Sequence, residues 1–307
     1  MENDDLKAIE NAAAEIAFNA GGLLLNHFTQ TLAVEYKEDY QKSPVTEADL
    51  ASDKYIKRQI GFRFPHHAIL SEEDTETEEK SAEFTWVIDP LDGTTNFMHG
   101  IPIFGICIAV LKNSRPVVGA IFTPSINHPK GLVLHASLGN GINQSYMKGS
   151  KTTKNSTSTD ERAISSMPAH FSNMFKYRTG TWLKLGDVRS LGSVAYEMAL
   201  VSQGNFDFVV FNGPHIWDVA AGVLIARESG LIVYEFDSSS NKWANFYQFN
   251  SNSKEAQSSP SQLRKWRGAL LIGEKSHVDF MAKGMRIKKN KIRRLIRKVQ
   301  RKWLYKS

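Results

Sequence analysis

The chain has 307 residues, 41% of them hydrophobic, a formal net charge of +6 and one cysteine, Cys107. A single cysteine excludes an intrachain disulfide framework. The longest strongly apolar run, Phe104 to Leu111, is too short to span a bilayer. The charge is uneven: residues 280–307 hold 12 Lys and Arg and no Asp or Glu, so the rest of the chain is net acidic at −6. The first ten residues, MENDDLKAIE, lack the apolar core of a signal peptide, and a cytoplasmic location is expected.

Leu6, Ile9, Ala13, Ile16, Ala17, Ala20 and Leu24 recur at helical spacing and predict a helix from about Asp4 to Phe28, weakened locally at Gly21-Gly22. Thr31 to Tyr36 reads as a short strand. A second helix follows Ser43-Pro44-Val45-Thr46 and runs to about Phe64, with Thr46 and Asp49 at the spacing of a capping box. Ala68-Ile69-Leu70 is strand-like and leads straight into Glu72 and Glu73. The acids from Asp74 to Glu79 read as a solvated loop.

The stretch from Trp86 to Pro102 reads WVIDPLDGTTNFMHGIP. Trp86-Val87-Ile88 is a buried strand, and Pro90 is expected to end it at Asp89. Asp89 and Asp92 then lie three residues apart at a strand end. Gly93 allows a tight turn, and Thr94 and Thr95 can cap the helix that follows. Carboxylates for a cation sit beside N–H donors for an anion, as a metal-assisted phosphate site requires. The core D-P-x-D-G is also what a simple turn looks like.

Beyond it, Phe104–Leu111, Val117–Phe122 and Gly131–Ala136 read as an antiparallel meander. The polar run from Lys148 to Asp160 is the candidate boundary between a first half, 1–150, and a second, 160–279. Ser193 caps a predicted helix, Val194 to Gln203, and Phe206 to Phe211 is a buried strand. Asp218 is an N-cap by type and position for an apolar helix ending near Gly230. Residues 250–261 are a polar loop, and Leu270 to Gly273 is the last strand. In the basic tail, 280–307, Ile292, Leu295, Ile296, Val299 and Trp303 form one apolar stripe. Such a helix is solvated, packs on the body, or binds an anionic membrane or nucleic acid weakly.

The run Asp89-Pro90-Leu91-Asp92-Gly93-Thr94-Thr95-Asn96-Phe97, with His99-Gly100 and Pro102, resembles the signature of the inositol monophosphatase family. That family lies within the Mg²⁺-dependent, lithium-sensitive sugar-phosphatase superfamily. Trp217-Asp218-Val219-Ala220-Ala221-Gly222 resembles its second signature. Glu72-Glu73 resembles a family acid pair, with Glu72 17 residues ahead of Asp89. The resemblance implies an α/β fold, a layered αβαβα sandwich, and a homodimer. It implies Glu72, Asp89, the Leu91 carbonyl, Asp92 and Asp218 as ligands of two or three Mg²⁺ ions. Hard oxygen donors without a Cys/His cluster suit Mg²⁺, with Mn²⁺ as the alternative. Asp49, Glu72 and Thr94 form the implied catalytic group, with Thr94 and Asp49 orienting the attacking water. Asp92, Gly93, Thr94, Gly192, Ser193 and Asp218 would contact a small phosphorylated polyol or sugar.

The expected reaction is hydrolysis of inositol monophosphate or a related sugar phosphate. The alternatives are a fructose-1,6-bisphosphatase, a nucleotide 3′-phosphatase, or a regulatory protein acting through its tail. One departure bears on substrate. The family carries a Glu seven residues before the Trp-Asp aspartate, where it contacts ring hydroxyls; here that position is Phe211.

Overall fold

In the computed structural model the described residues are 2–28, 34–36, 44–75, 82–145, 163–181, 185–249 and 258–288. The predicted first helix is α1 (Glu2–Phe28), and all seven residues of its apolar stripe are buried. It runs unbroken through Gly21, where a Cβ would stand 2.3 Å from the Phe122 ring. The glycine permits close packing on the sheet beneath, which outweighs its poor helix propensity. β1 (Val34–Tyr36) pairs antiparallel with β2 (Pro44–Thr46). α2 (Glu47–Arg63) begins at the expected capping box, with Thr46 and Asp49 bonding each other's backbone N–H.

The first large sheet follows chain order: β3 (Ala68–Ser71), β4 (Phe84–Asp92), β5 (Gly105–Lys112), β6 (Arg115–Thr123), β7 (Leu132–Ser137) and β8 (Ile142–Ser145). β3 and β4 are parallel and the remaining pairs antiparallel. Between β4 and β5 lies the short helix α3 (Thr94–Met98). β4 does not stop at Asp89 as expected but continues through Pro90 to Asp92. The register explains this. Asp89 opposes Cys107 and Asp92 opposes Gly105, so β4 carries one extra residue, a bulge at Pro90-Leu91. A bulged residue need not donate to the ladder, which suits proline.

The second half contains β9 (Ile164–Ser166), α4 (Phe171–Met174), β10 (Phe175–Tyr177), β11 (Asp187–Arg189), α5 (Val194–Ser202) and β12 (Phe208–Asn212). Then come α6 (Ile216–Glu228), β13 (Ile232–Asp237), β14 (Lys242–Asn245), α7 (Pro260–Arg264), β15 (Ala269–Gly273), α8 (Lys275–Gly284) and β16 (Met285–Ile287). The second large sheet has the order β11-β9-β12-β15-β13-β14. β15 is therefore an interior strand. It is not the last in the chain either, since β16 follows and pairs with β10.

α1 and α2 cover one face of the first sheet. α5 and α6 lie between the two sheets, and α8 packs on the second. That is an αβαβα sandwich. α6 is buried from Ile216 to Ala226 except at Asp218, as a helix enclosed by two sheets must be. α8 runs across residue 280. The Lys148–Asp160 run, residues 250–257 and the apolar stripe Ile292 to Trp303 lie outside the described residues.

Candidate active site

The bulge at the end of β4 re-aims its backbone, and the aspartates on either side are fixed by it. Asp89 Oδ1 accepts the Leu91 N–H at 3.1 Å, and Ser52 Oγ on α2 donates to the Pro90 carbonyl at 2.9 Å. Gly93 follows with φ +86° and is itself the N-cap of α3. Thr94 and Thr95 do not cap it. Thr94 Oγ1 instead turns back, 3.0 Å from the Leu91 carbonyl and 3.2 Å from Asp49 Oδ1. Asp49 is 2% exposed, and its other oxygen takes the Thr46 N–H at 2.9 Å and hydroxyl at 2.5 Å. Burial raises the Asp49 carboxyl to about 6; the Thr46 bonds oppose the rise and the Glu73 charge adds to it.

Glu72 sits on the turn after β3, its N–H bonded to the Ile88 carbonyl at 3.0 Å. Asp218 comes from the opposite side. It is not the N-cap of α6. His215 holds that place, and Asp218, three residues on, accepts the His215 N–H at 2.7 Å. Glu72, Asp89 and Asp218 each bring a carboxylate oxygen to within 4.8 Å of the others. Burial, then Glu72, Asp92 and Asp218, pushes the Asp89 carboxyl well above the carboxylate range. Asp218 is raised likewise, by burial and then by Asp92. Like charges crowded out of water need a cation, and an all-oxygen donor set fits a hard divalent ion. Asp207, Glu274 and His277 also approach one another, but Glu274 is exposed at the N-terminus of α8, whose dipole opposes a cation.

Asp92 lines the same cavity, yet one of its oxygens is engaged by the Ser193 hydroxyl and by the Ala195 N–H at 2.8 Å. Burial still raises it to about 6 against those bonds. Ser193 also N-caps α5, accepting the Tyr196 N–H at 3.2 Å, so the expected cap stands behind Asp92. The cavity measures about 240 Å³. Glu72, Asp89, Leu91, Asp92, Gly93, Thr94, Gly192 and Asp218 line it, together with Thr95, His215 and Trp217. Asp49 and Ser193 stand one step back, each through a hydrogen bond to a lining residue.

The sequence reading did not foresee His215 or the two arginines beside it. Arg267 donates to His215 Nε2 at 2.5 Å, and the Arg264 guanidinium lies 5.1 Å from the Trp217 ring centre. Burial, then Arg267 and Arg264, lowers His215 to about 4, so it is neutral at pH 7. His215 stands three residues before Asp218, within sight of the second motif. Nothing in the sequence brings Arg264 or Arg267 there.

Buried acids and a hydroxyl aimed among them, in a polar cleft at the end of β4 and the starts of α5 and α6, are the groups a hydrolytic, cation-binding site needs. The model of the inositol monophosphatase family matches residues 5–267. Inositol monophosphatase 3 of Solanum lycopersicum is 30% identical over 247 residues, covering 76% of this chain and 88% of that one. The fructose-1,6-bisphosphatase/inositol-1-monophosphatase of Thermotoga maritima is 31% identical over 230 residues, covering 75% and 84%. The crystal structure of an IMPase/NADP phosphatase complexed with Mg²⁺ and phosphate superposes with a TM-score of 0.64 at 19% identity, covering 90% and 96%. The chain belongs to the inositol monophosphatase family and is a phosphatase. No helix among the described residues is long and apolar enough to cross a membrane.

Proposed function

We propose that this phosphatase is a Mg²⁺-dependent phosphomonoesterase that hydrolyses a small phosphorylated polyol or sugar by direct attack of water. The observation that carries the reading is the convergence of Glu72, Asp89 and Asp218 within 4.8 Å, beside the Thr94–Asp49 pair. Those three carboxylates, Asp92 through its other oxygen, and the Leu91 carbonyl would hold the ions. When bound, the ions supply Lewis acidity at the phosphoryl oxygens and lower the pKa of water. Thr94 Oγ1, held between Asp49 and the Leu91 carbonyl, orients the attacking water. Asp49, with its carboxyl raised to about 6, accepts a proton through that hydroxyl near neutral pH. The N–H groups of Gly93 and Thr94 face the phosphate, and Gly192 borders the sugar.

Phe211 bears on the substrate. Its side chain is buried in the core between the sheets, outside the cavity lining. Asn212, which follows, is exposed and donates to Met174 Sδ at 3.6 Å, and Asp207 accepts the Ile164 N–H. Neither stands in for a carboxylate at the cavity. The reading is therefore a phosphatase with relaxed preference for inositol phosphate. Replacing Phe211 by Glu would bury a charge in the core, so the test is the wild-type profile. Phosphate release from inositol 1-phosphate, fructose 1,6-bisphosphate, a nucleotide 3′-phosphate and other sugar phosphates should require Mg²⁺ and fall with Li⁺. No release from any of them with Mg²⁺ would favour a binding protein acting through its tail. A strong preference for inositol 1-phosphate would refute the reading of Phe211.

A further inference from the structure

Arg264 ends α7, and its guanidinium reaches 190 residues back along the chain. Nη1 donates to the Ser71 carbonyl at 2.8 Å. Nη2 donates to the Glu72 carbonyl at 3.2 Å and to the Asp74 carbonyl. These three acceptors belong to the turn that carries the Glu72 carboxylate. The same guanidinium lies 5.1 Å from the centre of the Trp217 ring, and Trp217 directly precedes Asp218. One side chain thus meets the backbone of the turn that carries Glu72 and the ring of the residue that precedes Asp218. The far side of the turn is braced by α2, where Lys57 Nζ meets Asp74 Oδ1 at 2.5 Å and Asp53 Oδ2 at 2.7 Å.

We propose that Arg264 is a positioning residue for the metal site, setting the separation between Glu72 and Asp218. The inference rests on the Mg²⁺ reading above. Three carboxylates within 4.8 Å repel one another when no cation is bound, so they stay together only if their backbones are held. A flat guanidinium can satisfy several carbonyls in one plane while its face meets an indole. An ammonium on a flexible stem can do one or the other. Removing it leaves the Glu72 and Asp74 carbonyls to find new partners and the Ser71 carbonyl with the Asp74 N–H at 3.3 Å, so the turn opens toward water. Supporting residues of this kind typically change metal affinity 10- to 100-fold.

The test is Mn²⁺ binding to the full chain without substrate, with free Mn²⁺ read by its paramagnetic resonance signal. Wild type, Arg264→Lys, Arg264→Met and Asp89→Asn are compared. Arg63→Met, which breaks the bonds of that guanidinium to Glu15 and Gln59, serves as the control. Both Arg264 variants should bind Mn²⁺ roughly 10-fold more weakly than wild type. Their kcat at saturating metal should stay within about threefold of wild type, since the reacting groups remain. Arg63→Met should bind as wild type. Folded Arg264→Lys with wild-type Mn²⁺ affinity overturns the proposal, even if Arg264→Met fails to fold. Equal losses in Arg63→Met and the Arg264 variants assign the effect to general destabilisation and also overturn it. A wild type that binds no Mn²⁺ refutes the metal reading itself, and this inference with it.

Discussion

Two groups of buried carboxylate sit on opposite sides of the same sheet, and their charges are handled in opposite ways. Glu10, on α1, is fully buried. Its oxygens take bonds from His135 Nδ1 at 2.7 Å, Asn143 Nδ2 at 2.9 Å, Ser137 Oγ at 2.5 Å and Lys7 Nζ at 2.9 Å. Burial alone would raise it, but the bonds from His135, Ser137 and Lys7 together outweigh burial and hold it at about 2. Asp89 is equally buried and is raised, because after burial its nearest charges are Glu72, Asp92 and Asp218. A satisfied carboxylate ties α1 to β7 and β8. A crowded one is left with neighbours of its own sign. The same functional group in the same protein thus serves cohesion in one place and, in the proposed function, cation binding in the other.

The largest effect should come from neutralising each kind in turn. Asp89→Asn should lower phosphatase turnover by on the order of 10²-fold or more, because a ligand charge is lost. It should also raise the metal-free Tm by about 2 °C, since repulsion is relieved. Glu10→Gln should do the reverse. It should leave kcat unchanged and destabilise the fold by about 3 kcal/mol at pH 7, an upper figure taken from the depressed pKa. Phosphate release and thermal melting on both variants check this. A metal-free Asp89→Asn that melts below wild type would break the contrast.

The pH dependence sharpens it. Asp49 and Asp92, at about 6 in the fold, lie above their ordinary value of 3.8. The folded state therefore binds more protons than the unfolded one between those values, and stability falls as pH rises across that window. Glu10, at about 2 against 4.5, acts oppositely. Its contribution is complete above 4.5 and lost as pH falls toward 2. The metal-free protein should melt a few degrees higher at pH 5 than at pH 7.5, and Mg²⁺ should remove most of that difference at the higher pH. Melting curves with EDTA and with Mg²⁺ at both pH values decide it. The gap between wild type and Glu10→Gln should close as pH approaches 2.

What could be read from the sequence follows from how local each feature is. The stretch from Trp86 to Pro102 holds a strand, two acids and a helix start in consecutive residues, so their proximity needed no tertiary knowledge; the bulge that carries β4 past Pro90 shows only in its register with β5. Thr46 and Asp49 were legible for the same reason, being three residues apart. Asp218 stands out in the second motif, but it lies three residues into α6 because His215 holds the N-cap. The second sheet was half hidden. β9 and β11 have three residues each and β14 has four, too few for alternation to stand out. Glu10 falls beside the apolar stripe of α1, and its partner His135 lies 125 residues away. The apolar run around Phe211 marks a buried strand, but only the packing shows that its ring enters the core and not the cleft. Arg264 carries no local pattern at all.

Asp92 lies between the two extremes, and the smallest predicted effect tests that placement. Like Glu10 it accepts bonds, from the Ser193 hydroxyl and the Ala195 N–H; like Asp89 it remains raised. Ser193→Ala removes one of these donors and also the cap of α5. The cap alone should cost about 1 kcal/mol at every pH. The lost donor should raise Asp92 further, so the extra destabilisation should be greater at pH 7.5 than at pH 5, where a protonated Asp92 needs that donor less. Metal should compensate for the second part and not the first. Urea unfolding of Ser193→Ala and wild type at both pH values, with EDTA and with Mg²⁺, separates the two. A deficit that is the same in all four conditions would make Ser193 a helix cap and nothing more, and would remove its bond as a reason to place Asp92 beside Glu10.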